Sequence, residues 1–259
     1  MLLINPYRFA APRSSDADVN SYILAVEAAD GQQLEQGVIS AVESFVVGCK
    51  SDGIWSAIKA SCILAGARTL SGALVPLVGT APTNANFVSG DYNRETGLIA
   101  NGSTKRLVSE NNNTLAQNNN HIYIRITDED TRTVSAGIMG TSNGVSGATY
   151  LRRSGSTAFQ AASMNISFIA RTATNVKWSQ GCGIARGSSS QVQWLENSVS
   201  RTTSLASQTP RNEAIYVFNI GTGGYTTSRG CFFSIGESLN LALLDTRVST
   251  LMTDLAAAI

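Results

Sequence analysis

Between about residue 80 and residue 236 the chain carries almost no helical period. It breaks into short runs of strand character: "HIYIRIT", "SAGIMG", "TYLRR", "ISFIAR", "GCGIAR", "QVQWLE", "AIYVFNIG" and "GCFFSIG", parted by Gly, Asn and Ser. Short strands recurring at roughly 8–12-residue intervals between turn residues are the pattern of an antiparallel sandwich. "QVQWLENSVSRTTSL" reads as a hairpin turning at Asn197 and Ser198, since Asn tolerates positive φ. The last run breaks at Gly236 and becomes at once a helical pattern with Leu244, Val248, Leu251 and Leu255 on one face and Ser238 placed to cap it. Such a helix would cover the open face or edge of the final strand and keep it from pairing with another chain.

The first part of the chain has a different texture. Residues 1–14 read as extended, with Pro6 and Pro12 blocking a helix. "SSDADVNSYILAVEAADG" reads as a helix capped by Ser15, striped by Val19, Tyr22, Ile23 and Val26, and stopped at Gly31. A second helix is expected in "QQLEQGVISAVESFVVGCK", where Leu34, Val38, Val42, Phe45, Val46 and Cys49 recur at helical spacing. "IWSAIKASCILAGA" reads as a third, apolar on most sides. Residues 1–79 thus read as an N-terminal arm with a helical attachment unit, and 80–259 as the sandwich with its C-terminal helix. Leu34, Val38, Val42 and Phe45 are the candidate assembly face.

Only 14% of residues are charged, against a typical ~25%, and the net charge is +1. That balance argues against a nucleic-acid partner. With 43% apolar residues the chain is not of disordered composition. Lys59 and Arg68 interrupt the most apolar stretch, so no clean span reaches ~18 residues and no membrane insertion is expected. No secretion signal is read at the start, which points to folding in a reducing cytoplasm. Cys49, Cys62, Cys182 and Cys231 form no CxxC and read as buried thiols, with a Cys182–Cys231 bridge left open.

Catalytic signatures are scarce. The one histidine, His121, has no recognisable nucleophile or carboxylate partner and reads as a strand-start residue. "GTGGY" at 221–225 lacks the Lys and following helix of a phosphate loop and reads as a turn. Asp128, Glu129 and Asp130 fall in one charged run, "TDEDTRT", which reads as a solvated tip. Sugar-binding sites on sandwiches use an exposed aromatic face with flanking hydrogen-bonding side chains. Trp178, Tyr225, Tyr150 and Trp194 are the aromatic candidates, and Trp194, in an alternating run, also fits a core position.

"DYNRETGLIANGSTKRLVS", "QVQWLENSVSRTTS" and "GCFFSIGESLNLALLDTRVSTLM" together resemble concanavalin-A-like (laminin-G-type) β-sandwich domains of tailed-phage virion proteins, and "INPYRFA" resembles the start of phage tail and fibre-like proteins. The resemblance implies a mostly β chain: an antiparallel, jelly-roll-like sandwich with an N-terminal helical unit and a C-terminal helix. It implies a virion protein, a tail-fibre or receptor-binding component whose sandwich meets host surface polysaccharide. Other virion proteins are then partners, and a homo-oligomer, a trimer first, is expected. The alternative is a capsid decoration, cement or head-fibre protein; a carbohydrate-active enzyme ranks last, so the chain is read as no enzyme. Calcium at loop carboxylates, here Asp128 and Asp130, is the one cofactor the resemblance suggests.

Overall fold

The computed structural model describes residues 13–132, 134–155, 158–172, 180–221 and 224–259. The chain opens with α1 (Ala17–Asp30) and α2 (Gln36–Ser51), followed by β1 (Ile58–Ile63) and a single turn, α3 (Leu70–Ala73). Next come β2 (Thr83–Ala85), β3 (Tyr92–Asn93), β4 (Gly97–Ile99), β5 (Arg106–Asn111), β6 (Asn120–Asp128), β7 (Ala136–Gly140), β8 (Tyr150–Ser154) and β9 (Ala158–Ala162). β10 (Ile169–Thr172), β11 (Gly181–Arg186), β12 (Gln191–Glu196), β13 (Val199–Ser204), β14 (Ala214–Val217) and β15 (Arg229–Gly236) lead to α4 (Leu241–Ala258). Among the described residues these strands make two antiparallel sheets. Sheet A runs β13-β12-β11-β6-β15-β4-β3, with β1 also paired to β15; sheet B runs β10-β9-β8-β7-β14-β5-β2. The mostly β, two-sheet sandwich with N-terminal helices and a C-terminal helix is thus the observed fold.

Side-chain alternation sorts the core into two layers. In β6, Ile122 and Ile124 point between the sheets, while Tyr123 points to the helices. In β15, Phe233 and Ile235 face inward and Phe232 outward. Phe232 meets Phe45 of α2 edge-on at 5.4 Å between centroids. α4 lies antiparallel to α2: Ala258 sits against Gly37, and Arg247 pairs with Asp52 at 2.7 Å. Asp245 of α4 reaches through the layer to accept from Tyr123 Oη at 2.6 Å and pairs with Arg125 at 3.2 Å. It fits because position 181 is glycine; a Cβ there would lie 1.8 Å from the carboxylate oxygen.

Several sequence expectations need correction. "IKASCI" is not helix but β1, antiparallel to β15 from Ile58↔Gly236 to Ile63↔Phe232. A short apolar run buried on both faces has no period that separates strand from helix. The helix caps shift by one or two residues: Asp16 caps α1 and Asn240 caps α4, each accepting two backbone N–H groups. The α4 face of Leu244, Val248, Leu251 and Leu255 is buried as expected. It covers a sheet face rather than an edge, because both sides of β15 are already paired. Leu34, Val38, Val42 and Phe45 do not form an assembly surface. They are 2–6% exposed within this single chain, consumed by packing on α4 and sheet A. No bridge joins Cys182 to Cys231: Cys182 faces the inter-sheet core and Cys231 the helical layer. Burial pushes both thiols, and that of Cys49, up to about 12. Among the described residues no helix is long and apolar enough to cross a membrane. Residues 1–12, including the proline-bearing arm, lie outside the described residues.

Candidate functional site

Among the described residues, sheet B carries no helix on its outer face. Leu107, Leu151, Phe159, Ile215 and Val217 point into the sandwich, so the residues alternating with them, Arg106, Arg152, Gln160 and Tyr216, point out. The chain after β14 then folds over this face. Phe218, at φ 70, turns inward against Phe87, and Ile220 lands on β7. Only glycine serves at position 137: a Cβ there would lie 2.2 Å from Ile220 Cγ1 and 2.4 Å from the Gly224 carbonyl oxygen. That close approach lets the Gly137 N–H donate to Gly224 O at 3.0 Å.

The crossing leaves a shallow pocket of about 110 Å³, lined by Ser135, Gly137, Asn143, Arg152, Ile220 and Gly224. Arg152 enters it oriented by Gln160, whose Oε1 accepts from Arg152 Nε at 2.6 Å. Tyr225 follows Gly224 and is half-buried. Its ring centroid is 6.0 Å from the Arg106 guanidinium, which also lies 4.6 Å from the Tyr216 ring, so one cation sits against two aromatic rings. In the same loop Asn219 is fully buried with neither side-chain amide atom hydrogen-bonded.

A buried charge cluster pins the far end of this loop. Asp130 accepts from the N–H groups of Thr227 (2.9 Å) and Arg132 (3.0 Å) and pairs with Arg132 and Arg153. Arg132 Nη2 in turn donates to Tyr225 O at 2.8 Å. Burial alone would raise the Asp130 pKa, but the Arg132 guanidinium and the backbone donors outweigh it and hold the carboxyl well below the usual range.

Asp130 is therefore no solvated tip and no calcium ligand. Its oxygens are taken by two guanidinium groups and backbone N–H donors, the opposite of an acidic cation cage. Asp128, exposed at the end of β6, does not join it, and no cluster of metal-ligating side chains occurs among the described residues. Of the described aromatic candidates, Tyr225 alone stands at the site. Tyr150 is 1% exposed beneath Ile220, with its phenol pushed up to about 12 by burial. Trp194 is in the core of the other sheet, stacked on Phe159 at 5.8 Å and donating to Thr203 Oγ1. Trp178 lies outside the described residues. The sequence reading missed Arg106, Arg152 and Tyr216. Their signal was present: each alternates with a core residue in "RLVSE", "YLRR" or "AIYV".

His121 is buried and works inside the fold, with Nδ1 2.5 Å from Glu237 O and Nε2 2.8 Å from Ser234 Oγ. The buried acids of the strand region each have their own arginine, Asp130 having Arg132 and Arg153 and Glu196 having Arg171, and the half-buried Glu213 pairs with Arg211.

No family model matches the sequence, and no curated protein matches it. Among solved structures, a Trypanosoma rangeli sialidase mutant displaying trans-sialidase activity is 12% identical, with a TM-score of 0.48 over 83% of this chain and 39% of that one. Domain 4 of a Geobacillus stearothermophilus arabinanase, solved with arabinotriose, is 12% identical over 66% of this chain and 82% of that one, with a TM-score of 0.43. The enzymatically active domain of bacteriophage CBA120 tailspike protein 2 is 12% identical over 67% of this chain and 29% of that one, with a TM-score of 0.40. The chain spans about two fifths of the length of the sialidases it matches. The sequence-based expectation that the chain is no enzyme is withdrawn: sialidases and a glycoside-hydrolase domain stand among the matched structures, so the likeness does not point to a non-enzyme.

Proposed function

We propose that this chain is a carbohydrate-binding sandwich displayed on a phage virion, as a tail-fibre or receptor-binding component, and that its ligand lies on the outer face of sheet B. One observation carries the binding reading: the Arg106 guanidinium set against Tyr216 and Tyr225, beside the pocket of Arg152, Asn143 and Ser135. Half-exposed aromatic rings offer faces to the C–H side of a sugar, and the neighbouring amide, hydroxyl and guanidinium groups suit its hydroxyls. The virion setting is supported by the sequence resemblance, and a homotrimer with other virion partners by the sparsely charged composition.

A glycan array probed with the labelled full chain tests the binding reading. Tyr225→Ala and Tyr216→Ala should each weaken the selected saccharide about tenfold, the size of one lost aromatic contact. Their unfolding free energies should stay within about 0.5 kcal/mol of the parent, because neither side chain is in the core. Undiminished binding by both variants would place the ligand elsewhere. Antibody labelling of intact particles tests the setting: signal at the distal tail supports it, signal on the shell makes the chain a decoration protein, and no signal removes the virion reading.

A further inference from the structure

The open face has a charge property that the helix-covered face lacks. Among the described residues, Arg106, Arg152, Arg186 and Arg229 are the cationic side chains with no carboxylate partner. Two of these meet backbone carbonyls. Arg186 is fully buried and donates to the carbonyls of Ser163, Ser188, Leu205 and Ala206. Arg229 donates to Gly97 O at 2.7 Å. Arg106 and Arg152 do not: among the described residues Arg106 lies against two aromatic rings, and Arg152 spends its Nε on Gln160. Both stand on the outer face of sheet B.

We infer that the saccharide bound here is acidic, a chain bearing carboxylates, with one of them meeting the Nη edge of Arg152 in the pocket. This rests on the carbohydrate reading above. Gln160 occupies Nε and fixes the plane of the guanidinium, which leaves the Nη1–Nη2 edge for a two-point contact with a planar anion. The described lining residues include no carboxylate, while Asn143 and Ser135 add neutral hydrogen-bonding groups. An unpaired guanidinium in a partly desolvated pocket is a standing preference for an anion. Arg106 extends that preference along the face. It lies on β5 and Arg152 on β8, with β14 and β7 between them, so their backbones are about 14 Å apart at ordinary strand spacing. A single sugar cannot reach both, so the matching ligand is an oligosaccharide with repeated acidic residues crossing the strands, with Tyr225 and Tyr216 near its Arg106 end.

The test uses the full chain and a panel of uronate- and sialate-containing oligosaccharides, each paired with its carboxyl-reduced or neutral counterpart, titrated calorimetrically at fixed salt. The acidic member of at least one pair should bind tenfold or more tightly than its counterpart, the size of one charge-assisted contact. Arg152→Gln should remove most of that ratio, Arg152→Lys should restore part of it, and Lys59→Gln, on sheet A, should leave it unchanged. Equal affinity for both members of every pair that binds overturns the inference while the carbohydrate reading stands. Binding to no member of any pair overturns both.

Discussion

Sheets A and B share one interior but turn opposite kinds of surface outward. Sheet A spends its outer face on packing: Tyr123 and Phe232 are fully buried beneath α2 and α4. Sheet B has no helix on its outer face among the described residues and decorates that face with Arg106, Arg152, Tyr216 and Tyr225. The backbone pairing is antiparallel in both, so the difference is written in the side chains alone. "HIYI" and "CFFSI" are apolar on nearly every residue because both faces are dry, whereas "RLVSE" and "AIYV" alternate because one face is wet. The covered face should then carry stability, and the open face should carry recognition at little cost to stability.

The harshest way to break this contrast is to strip the cover. Ending the chain after Gly236 removes α4 and with it the burial of Leu244, Val248, Leu251 and Leu255. At about 1.5–3 kcal/mol per buried side chain the loss is about 6–12 kcal/mol, comparable with the whole stability of an ordinary domain. The truncated chain is expected to aggregate through the exposed apolar face of sheet A. A soluble truncation with a cooperative unfolding transition would show that the sandwich is self-sufficient and that the helices serve some other end.

A single side chain sharpens the same point. Phe45→Ala should cost about 3–5 kcal/mol in denaturant unfolding, as for a large aromatic removed from a core where it packs edge-on against Phe232. Sedimentation should show the same oligomeric state before and after. Dissociation of an oligomer with stability retained would return Phe45 to the assembly role that its helical spacing first suggested.

How much of this was legible beforehand differed by layer. Strands β6, β7, β8 and β10 to β15, the Asn197-Ser198 turn (φ 48 and 61) and the buried stripe of α4 follow from alternation, turn chemistry and helical period, which are local signals, whereas β2, β3, β4, β5 and β9 are not read as strands from the sequence. β1 was not legible, since Ala60 and Cys62 face the sheets while Ile58 and Ile63 face the helices, and a run apolar on both sides erases its own period. The assembly face failed for a related reason: an apolar stripe at Val38, Val42 and Phe45 says that something covers it, and here α4, some two hundred residues later, does so. At the site, Tyr225 was found because it lies in a glycine-rich loop. Arg106, Arg152 and Tyr216 alternate with apolar residues in the sequence, but the tertiary pairing is what says which of the two alternating sets points inward.

The two faces should also separate under acid, by a smaller amount. His121 lies on the helix side of sheet A, fully buried, with Nδ1 against the Glu237 carbonyl and Nε2 against the Ser234 hydroxyl. The carbonyl accepts, so Nδ1 carries the proton and Nε2 accepts from the hydroxyl, a neutral ring with both nitrogens satisfied. Burial disfavours the imidazolium and lowers the pKa from 6.5 to about 4. The unfolded chain therefore takes up a proton first as the pH falls. Stability is whole above about pH 6.5 and declines toward pH 4, by about 3 kcal/mol in all. Denaturant unfolding at pH 7, 6 and 5 measures it, and His121→Gln should flatten it. A parent stability that does not change from pH 7 to pH 5 would mean that the covered face opens to solvent around His121, and the dry, packed character assigned to sheet A's outer face would fail there.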